Sequence, residues 1–247
     1  MSGPTLRVLD SLDTVARTAA HWVHDRAWAA VNARGRFTLA LSGGNTPRAL
    51  YRRMADGPRL PWDRTVFCFG DERNVPPTDP ESNARMARET LTGQPFVNQS
   101  SVYRIKGELP AEEAAADYEQ MLHTLFPGTT GFPAFDLILL GLGPDGHTAS
   151  LFPYSQALTE RTRWVVGHHV ARLGKARITM TPPILNRAAE VRLLVTGPDK
   201  AGVLREVLLG PREPERLPAQ LVAPAAGRLV WMLDRAAAAE LPADRPV

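Results

Sequence analysis

Short, almost wholly apolar runs alternate with longer amphipathic stretches along most of the chain. LRVL, beginning at Leu6, is followed by a helical pattern from about Ser11 to Arg34; FTLAL by a helix beginning near Pro47; TVFCFG by a helix from about Ser82 to Leu91. In the second half, a helical stretch from about Pro110 to Phe126 precedes FDLILLGLG. Then come WVVGHHV, RITM, VRLLVTG with the helix PDKAGVLREVLL, and RLVWML with a closing helix DRAAAAEL. Continuous apolar runs of this length, bounded by turn residues, read as strands buried on both faces. Their alternation with helices predicts an α/β fold: a mostly parallel open sheet with helices on both faces, Rossmann-like in plan. There is no internal repeat, and GPREPERLP near Pro211 reads as a surface loop. The whole chain, 1–247, is expected to form one α/β domain.

This architecture predicts where chemistry should lie. In open parallel sheets, ligands bind beyond the carboxyl ends of the strands. Four loops in that position carry unusual residues: SGGNTP after FTLAL, GDERNVP after TVFCF, GPDGHTAS after FDLILLGL, and TGPDK after VRLLV. If they share one edge of the sheet, they form one site.

Composition narrows the classes. With 247 residues and 44% hydrophobic content the chain is long enough for a sizeable core. The net charge of +3 is small, and the basic residues are scattered rather than clustered, so nucleic acid is not an expected partner. The lone Cys68 sits inside the apolar run VFCF and reads as a buried hydrophobe. No run approaches the roughly 18 apolar residues of a membrane span, and MSGPTLRVLD lacks the features of a secretion signal. The expectation is a cytoplasmic protein with no membrane association. Nothing in the sequence sets the oligomeric state, and a monomer is the simplest expectation.

The stretch GLGPDGHTASLFP contains G-x-G-x-x-G at Gly141, Gly143 and Gly146. A dinucleotide site needs the third glycine to open a long helix, whereas Pro144 and Pro153 interrupt this one. The glycines fit a tight loop that carries His147 to a small ligand, with Asp145 two positions before it. An imidazole takes and returns a proton near neutrality, so His147 is a candidate acid/base group. A metal role is disfavoured: no second ligand lies at a suitable spacing, and His168 and His169 are neighbours on a strand, pointing to opposite faces.

SGGNTPRALY reads as strand, glycine turn and helix start, with Thr46 as N-cap and Pro47 at the first helical position. Free N–H groups and the helix dipole there suit a phosphate, although no P-loop Lys-Ser/Thr pair follows. The plain alternative is an ordinary capped helix. Lys200, one of only three lysines, stands at a helix start, where a cation is unfavourable unless an anion is near. A surface lysine is the alternative. Asp71, Glu72 and Arg73 could clamp phosphate and hold sugar hydroxyls, or form a solvated ion-paired loop. Neither Ser42 nor Ser150 lies in a nucleophile elbow, which leaves water as the nucleophile.

Taken together, LSGGNTPRALY, GDERNVPPTDPESNARMARETL, LGLGPDGHTASLFP, RITMTPPILNRA and AGRLVWMLDRAAA resemble the 6-phosphogluconolactonase family, in its order, over about residues 41 to 239. The resemblance implies a hydrolase without metal or other cofactor. Its substrate would be a sugar phosphate lactone, 6-phosphoglucono-δ-lactone, and its fold one shared with glucosamine-6-phosphate isomerases. Those isomerases resemble D-G-H-I-A-F-N-E-P at the histidine loop. Here the glutamate slot holds Phe152, which argues against isomerase chemistry. A sugar-phosphate sensor without catalysis is a third reading, which would normally carry a DNA-binding segment, and none precedes Leu6. The resemblance further implies His147 as the general base, with Asp145 beside it. It places phosphate on Ser42, Gly43, Gly44 and Thr46 with Lys200 and Arg73, sets Asp71 against sugar hydroxyls, and brings Arg177 near the phosphate. For the oxyanion, candidate donors are loop N–H groups near Gly143 or Gly146, or Arg73.

Overall fold

The computed structural model describes residues 4–242. Strands β1 (Thr5–Leu9), β2 (Phe37–Leu41), β3 (Thr65–Phe69), β5 (Leu137–Leu140), β8 (Glu190–Val195) and β9 (Arg228–Asp234) form one sheet in the order β1-β9-β8-β5-β2-β3. Every pairing in it is parallel. Side chains of β2, β5 and β8 are buried throughout, as apolar runs without alternation require when both faces are covered.

Helix α1 (Leu12–Arg34) shows how local sequence sets an element. Ser11 caps its start by accepting from the Thr14 N–H at 3.3 Å, and Gly35 ends it in the left-handed region at φ 76°. Its buried residues, Val15, Ala19, Val23, Ala27 and Ala30 among them, recur at three- and four-residue steps and face the sheet. The other helices are α2 (Asn45–Asp56), α3 (Asn83–Ala87, prolonged by a wider turn to Thr92), α4 (Ala111–Leu125), α5 (Pro182–Arg187) and α6 (Ala201–Leu209).

Three expectations need correction. WVVGHHV and RITM do not join the parallel sheet: β6 (Val165–Val170) and β7 (Lys175–Met180) form an antiparallel hairpin, and β4 (Asp71–Arg73) adds to β7 in a separate three-stranded sheet. The four residues between them, closed by Gly174 at φ 59°, are too few for a helical crossover, which parallel pairing needs. DRAAAAEL does not form a helix but a run of turns from Arg235 to Glu240. Asp234 draws in the backbone N–H groups of Gly197 and Ala237 instead, and only scattered turn bonds follow. Finally, α2 begins at Asn45, two residues before the expected first helical position, so Thr46 lies inside its first turn and Gly44 occupies the cap position.

Candidate active site

In the sheet order, β8, β5, β2 and β3 are consecutive neighbours and all point the same way. Their carboxyl ends therefore deliver all four singled-out loops to one edge. The loops enclose a cavity of about 500 Å³ lined by Ser42, Gly43, Gly44 and Thr46 from the first, Asp71 and Arg73 from the second, Gly143 and His147 from the third, and Lys200 from the fourth. That volume lies in the range of small-ligand sites.

Geometry fixes the imidazole. Gly146, at φ 80°, folds Asp-Gly-His into a turn in which the Asp145 carboxylate accepts from the His147 backbone N–H at 3.3 Å and meets Nδ1 of its ring. Burial pushes the Asp145 carboxyl up, but hydrogen bonds and charge from His147, with Arg172 adding to them, outweigh it and hold the carboxyl below its ordinary range. An ionised carboxylate only accepts, so Nδ1 carries the proton and Nε2 presents a lone pair. The ring lies on Phe152, centroids 4.2 Å apart. A Cβ at Gly143 would overlap the imidazole, which is why the loop needs glycine there. No helix follows these glycines before the short turn at Gln156, as the reading against a dinucleotide site requires.

The loop is braced from three sides. Thr148 Oγ1 donates to the Gly141 carbonyl at 2.8 Å, Ser150 Oγ donates to Asp71 at 2.6 Å, and the Ala219 N–H donates to the Gly146 carbonyl at 2.9 Å. The last brace comes from the end of the proline-rich loop, whose Leu217 also packs on Gly146. Ala149 and Tyr154 hold positive φ (48° and 59°), a local strain typical of loops held in place for function. Of the N–H groups around Gly143 and Gly146, the two glycines' own are engaged within the loop: Gly143 donates to the His147 carbonyl and Gly146 to that of Gly143.

At the other end of the cavity, the first turn of α2 has no side-chain cap. Gly44 reaches φ 106°, and a Cβ on Gly43 would collide with the Asn83 side chain, so both glycines are dictated by backbone and packing. Thr46 Oγ1 meets Thr196 Oγ1 at 2.7 Å and ties α2 to the loop after β8. The Ser42 hydroxyl is buried without a partner, while its backbone N–H and carbonyl are held by Tyr51. Lys200 pairs with Asp199 at 3.0 Å.

The acidic cluster divides. Asp71 and Arg73 share one face of β4 and reach the cavity, whereas Glu72 points the other way. Glu72 accepts from the backbone N–H groups of Asn83 (2.7 Å), Ala84 (2.8 Å) and Arg73 (2.8 Å); burial raises its carboxyl pKa against these bonds. It caps α3 rather than holding a ligand. Arg177 stands opposite Arg73 on β7, behind the cavity wall rather than in it, and burial followed by the Arg73 charge lowers its pKa. Asn45, Asn83, Thr196 and Asp199 also line the cavity and escaped the sequence reading. Asn83 bonds the Asp71 carbonyl (3.0 Å) and carboxylate (3.2 Å), a link no sequence spacing announces.

A larger space of about 1230 Å³ lies beyond Asp145 and Phe152, lined also by the β6–β7 hairpin and α6. It contains neither the glycine turn nor Lys200. Among the described residues, no group of three or more His, Cys, Asp or Glu is placed to hold a metal ion, and no helix is long and apolar enough to cross a membrane.

Residues 10–231 match the model of the family described as glucosamine-6-phosphate isomerases/6-phosphogluconolactonase. The chain belongs to this family. A 6-phosphogluconolactonase of Synechocystis sp. is 41% identical over 241 residues, covering 96% of this chain and 98% of its own. One of Homo sapiens is 40% identical over 239 residues, covering 94% and 92%. The solved 6-phosphogluconolactonase of Trypanosoma brucei superposes with a TM-score of 0.87 at 28% identity, covering 98% of this chain and all of that one. The family model spans two chemistries, so membership leaves the reaction to be argued from the relatives and the site.

Proposed function

We propose that this protein hydrolyses 6-phosphoglucono-1,5-lactone to 6-phosphogluconate, the second step of the oxidative pentose phosphate pathway. The observation that carries the reading is a single imidazole, oriented by a carboxylate, facing an uncapped helix start and a lysine across one cavity. Relatives named for this reaction, alike over nearly the full chain, support it.

In this reading the phosphate lies against Ser42, Gly43, Gly44 and Thr46, where the free N–H groups of α2 and its dipole meet the dianion, with Lys200 as counter-charge. Asp71 and Arg73 face the sugar. His147 Nε2 takes a proton from water as the water oxygen bonds to the lactone carbonyl carbon. The tetrahedral oxyanion collapses, the bond to the ring oxygen breaks, and Nε2 returns the proton to that oxygen. The new carboxylic acid then ionises and releases one proton to solvent. With the Gly143 and Gly146 N–H groups engaged, Arg73, one of whose nitrogens also donates to the Glu81 carbonyl, is the donor assigned to the oxyanion. Phe152 occupies the place where an isomerase would need a carboxylate, and it supports the ring instead.

The test is proton release from freshly generated lactone, measured against spontaneous ring opening, alongside ammonia release from glucosamine 6-phosphate. Acceleration of the first with none of the second is expected; the reverse would overturn the reading. Lys200→Ala should raise KM about tenfold or more with little change in kcat, following from the ~1.5–3 kcal/mol of a hydrogen bond to a charged group. Steady-state kinetics with competing inorganic phosphate checks it, since phosphate inhibition should weaken in parallel.

A further inference from the structure

We infer that Arg172 is a positioning residue for His147, holding Asp145 in the orientation that aims the imidazole into the cavity. The inference rests on His147 being the base. Asp145 uses Oδ1 for the ring and backbone of His147, and its second oxygen, Oδ2, which accepts no hydrogen bond, lies in an ion pair 2.5 Å from the Arg172 guanidinium. A carboxylate held by one oxygen alone can rotate about its last bond and carry the ring with it; a guanidinium charge beside the second oxygen opposes that rotation. The same guanidinium sits 5.9 Å from the centroid of Phe152, the ring on which His147 stacks. Arginine, carboxylate and imidazole thus close around one phenyl ring.

Arg172 comes from a different part of the fold, the turn Ala171–Leu173 between β6 and β7. Its side chain is 57% exposed, so the ion pair adds little to stability, and its contribution is to orientation and charge. Its positive charge also offsets part of the negative charge that Asp145 presents to the ring. Other charged groups around the dyad are Asp71, Arg73, Asp199 and Lys200 in the cavity, with His168, His169, Glu112, Glu206 and Arg216 across the larger space beyond it. Among the described residues, Asp145 pairs with His147 and Arg172 and with none of these groups.

The experiment compares Arg172→Ala and Arg172→Lys with the unaltered protein. Alanine should lower kcat about tenfold, the scale at which outer partners of a working histidine act, with KM held within about twofold. Lysine, which keeps the charge, should recover most of the loss. In the alanine variant the acid limb of kcat/KM should move up by about half a pH unit or more, and the NMR titration of the His147 ring in ligand-free protein should move with it. An unmoved titration, or a lysine variant as slow as alanine, overturns the inference. Because the titration needs no turnover, it decides the role of Arg172 separately: an inactive unaltered protein would instead sink the lactonase reading.

Discussion

Replacing His147 with alanine is expected to lower kcat by about 10²-fold or more, the usual worth of a positioned general base, while phosphate affinity changes little. The separation follows from the layout. His147 is carried on the loop after β5, whereas the phosphate cradle is built by the loop after β2 and the start of α2. The two carboxylates on the His147 side of the cavity are already engaged. Asp145 is turned toward Arg172 and held ionised, with a carboxyl too acidic to take a proton from water at neutral pH. Asp71 is engaged by Ser150 and Asn83. The cost should fall on kcat, because the imidazole acts only in the proton transfers of the chemical steps. Stopped-flow or pH-stat turnover with inhibition by 6-phosphogluconate checks both halves. Turnover within a few-fold of the unaltered protein would remove His147 from the mechanism, whereas lost product binding would mean that the loop had collapsed.

The second large effect concerns the opposite end of the sheet. Glu190 opens β8 and is fully buried, paired with the buried Arg192, with Arg228 at 2.7 Å and with Arg26 at 3.6 Å. The Arg192 guanidinium lies 4.3 Å from the centroid of the Trp22 ring. Glu190→Ala removes the one carboxylate that, among the described residues, pairs with these three guanidiniums, and it strands a buried cation, which costs about 3–5 kcal/mol. For a chain of this size that is a fall in Tm of roughly ten degrees. Calorimetry or thermal circular dichroism checks it, and a Tm within about two degrees would show that water reaches Arg192 readily. The double change Glu190→Met with Arg192→Leu should recover most of the loss, since an apolar pair of similar volume avoids the desolvation cost altogether. Activity per folded molecule should hold in both variants, because the cluster lies at the amino end of the strands and the cavity at the carboxyl end.

The sequence by itself determined the parallel sheet, because strands buried on both faces must be mostly apolar, and FTLAL, LILL and VRLLV carry that signature apart from Thr38 and Arg192. It also pointed to the carboxyl ends of the strands as the place for the polar loops, while the strand order that sets the four loops side by side came from the fold. The histidine loop could be picked out because glycines and prolines punctuate it so heavily. What the sequence did not carry is partner choice across distance. The segments of β6 and β7, VVGHHV and KARITM, hold enough apolar residues to read as strands of the main sheet, and it is the shortness of their connection that makes them an antiparallel pair. Glu72 and Asp71 are neighbours in the chain, yet strand alternation sends one to cap a helix and the other to the cavity. Asn83 and Arg172 meet the site only through folding, one from a short helix and one from the turn of the second sheet. Tertiary structure alone decided which oxygen of Asp145 faces which cation, because hydrogen-bond direction depends on where chain segments distant in sequence come to rest, and local propensity holds no information about that.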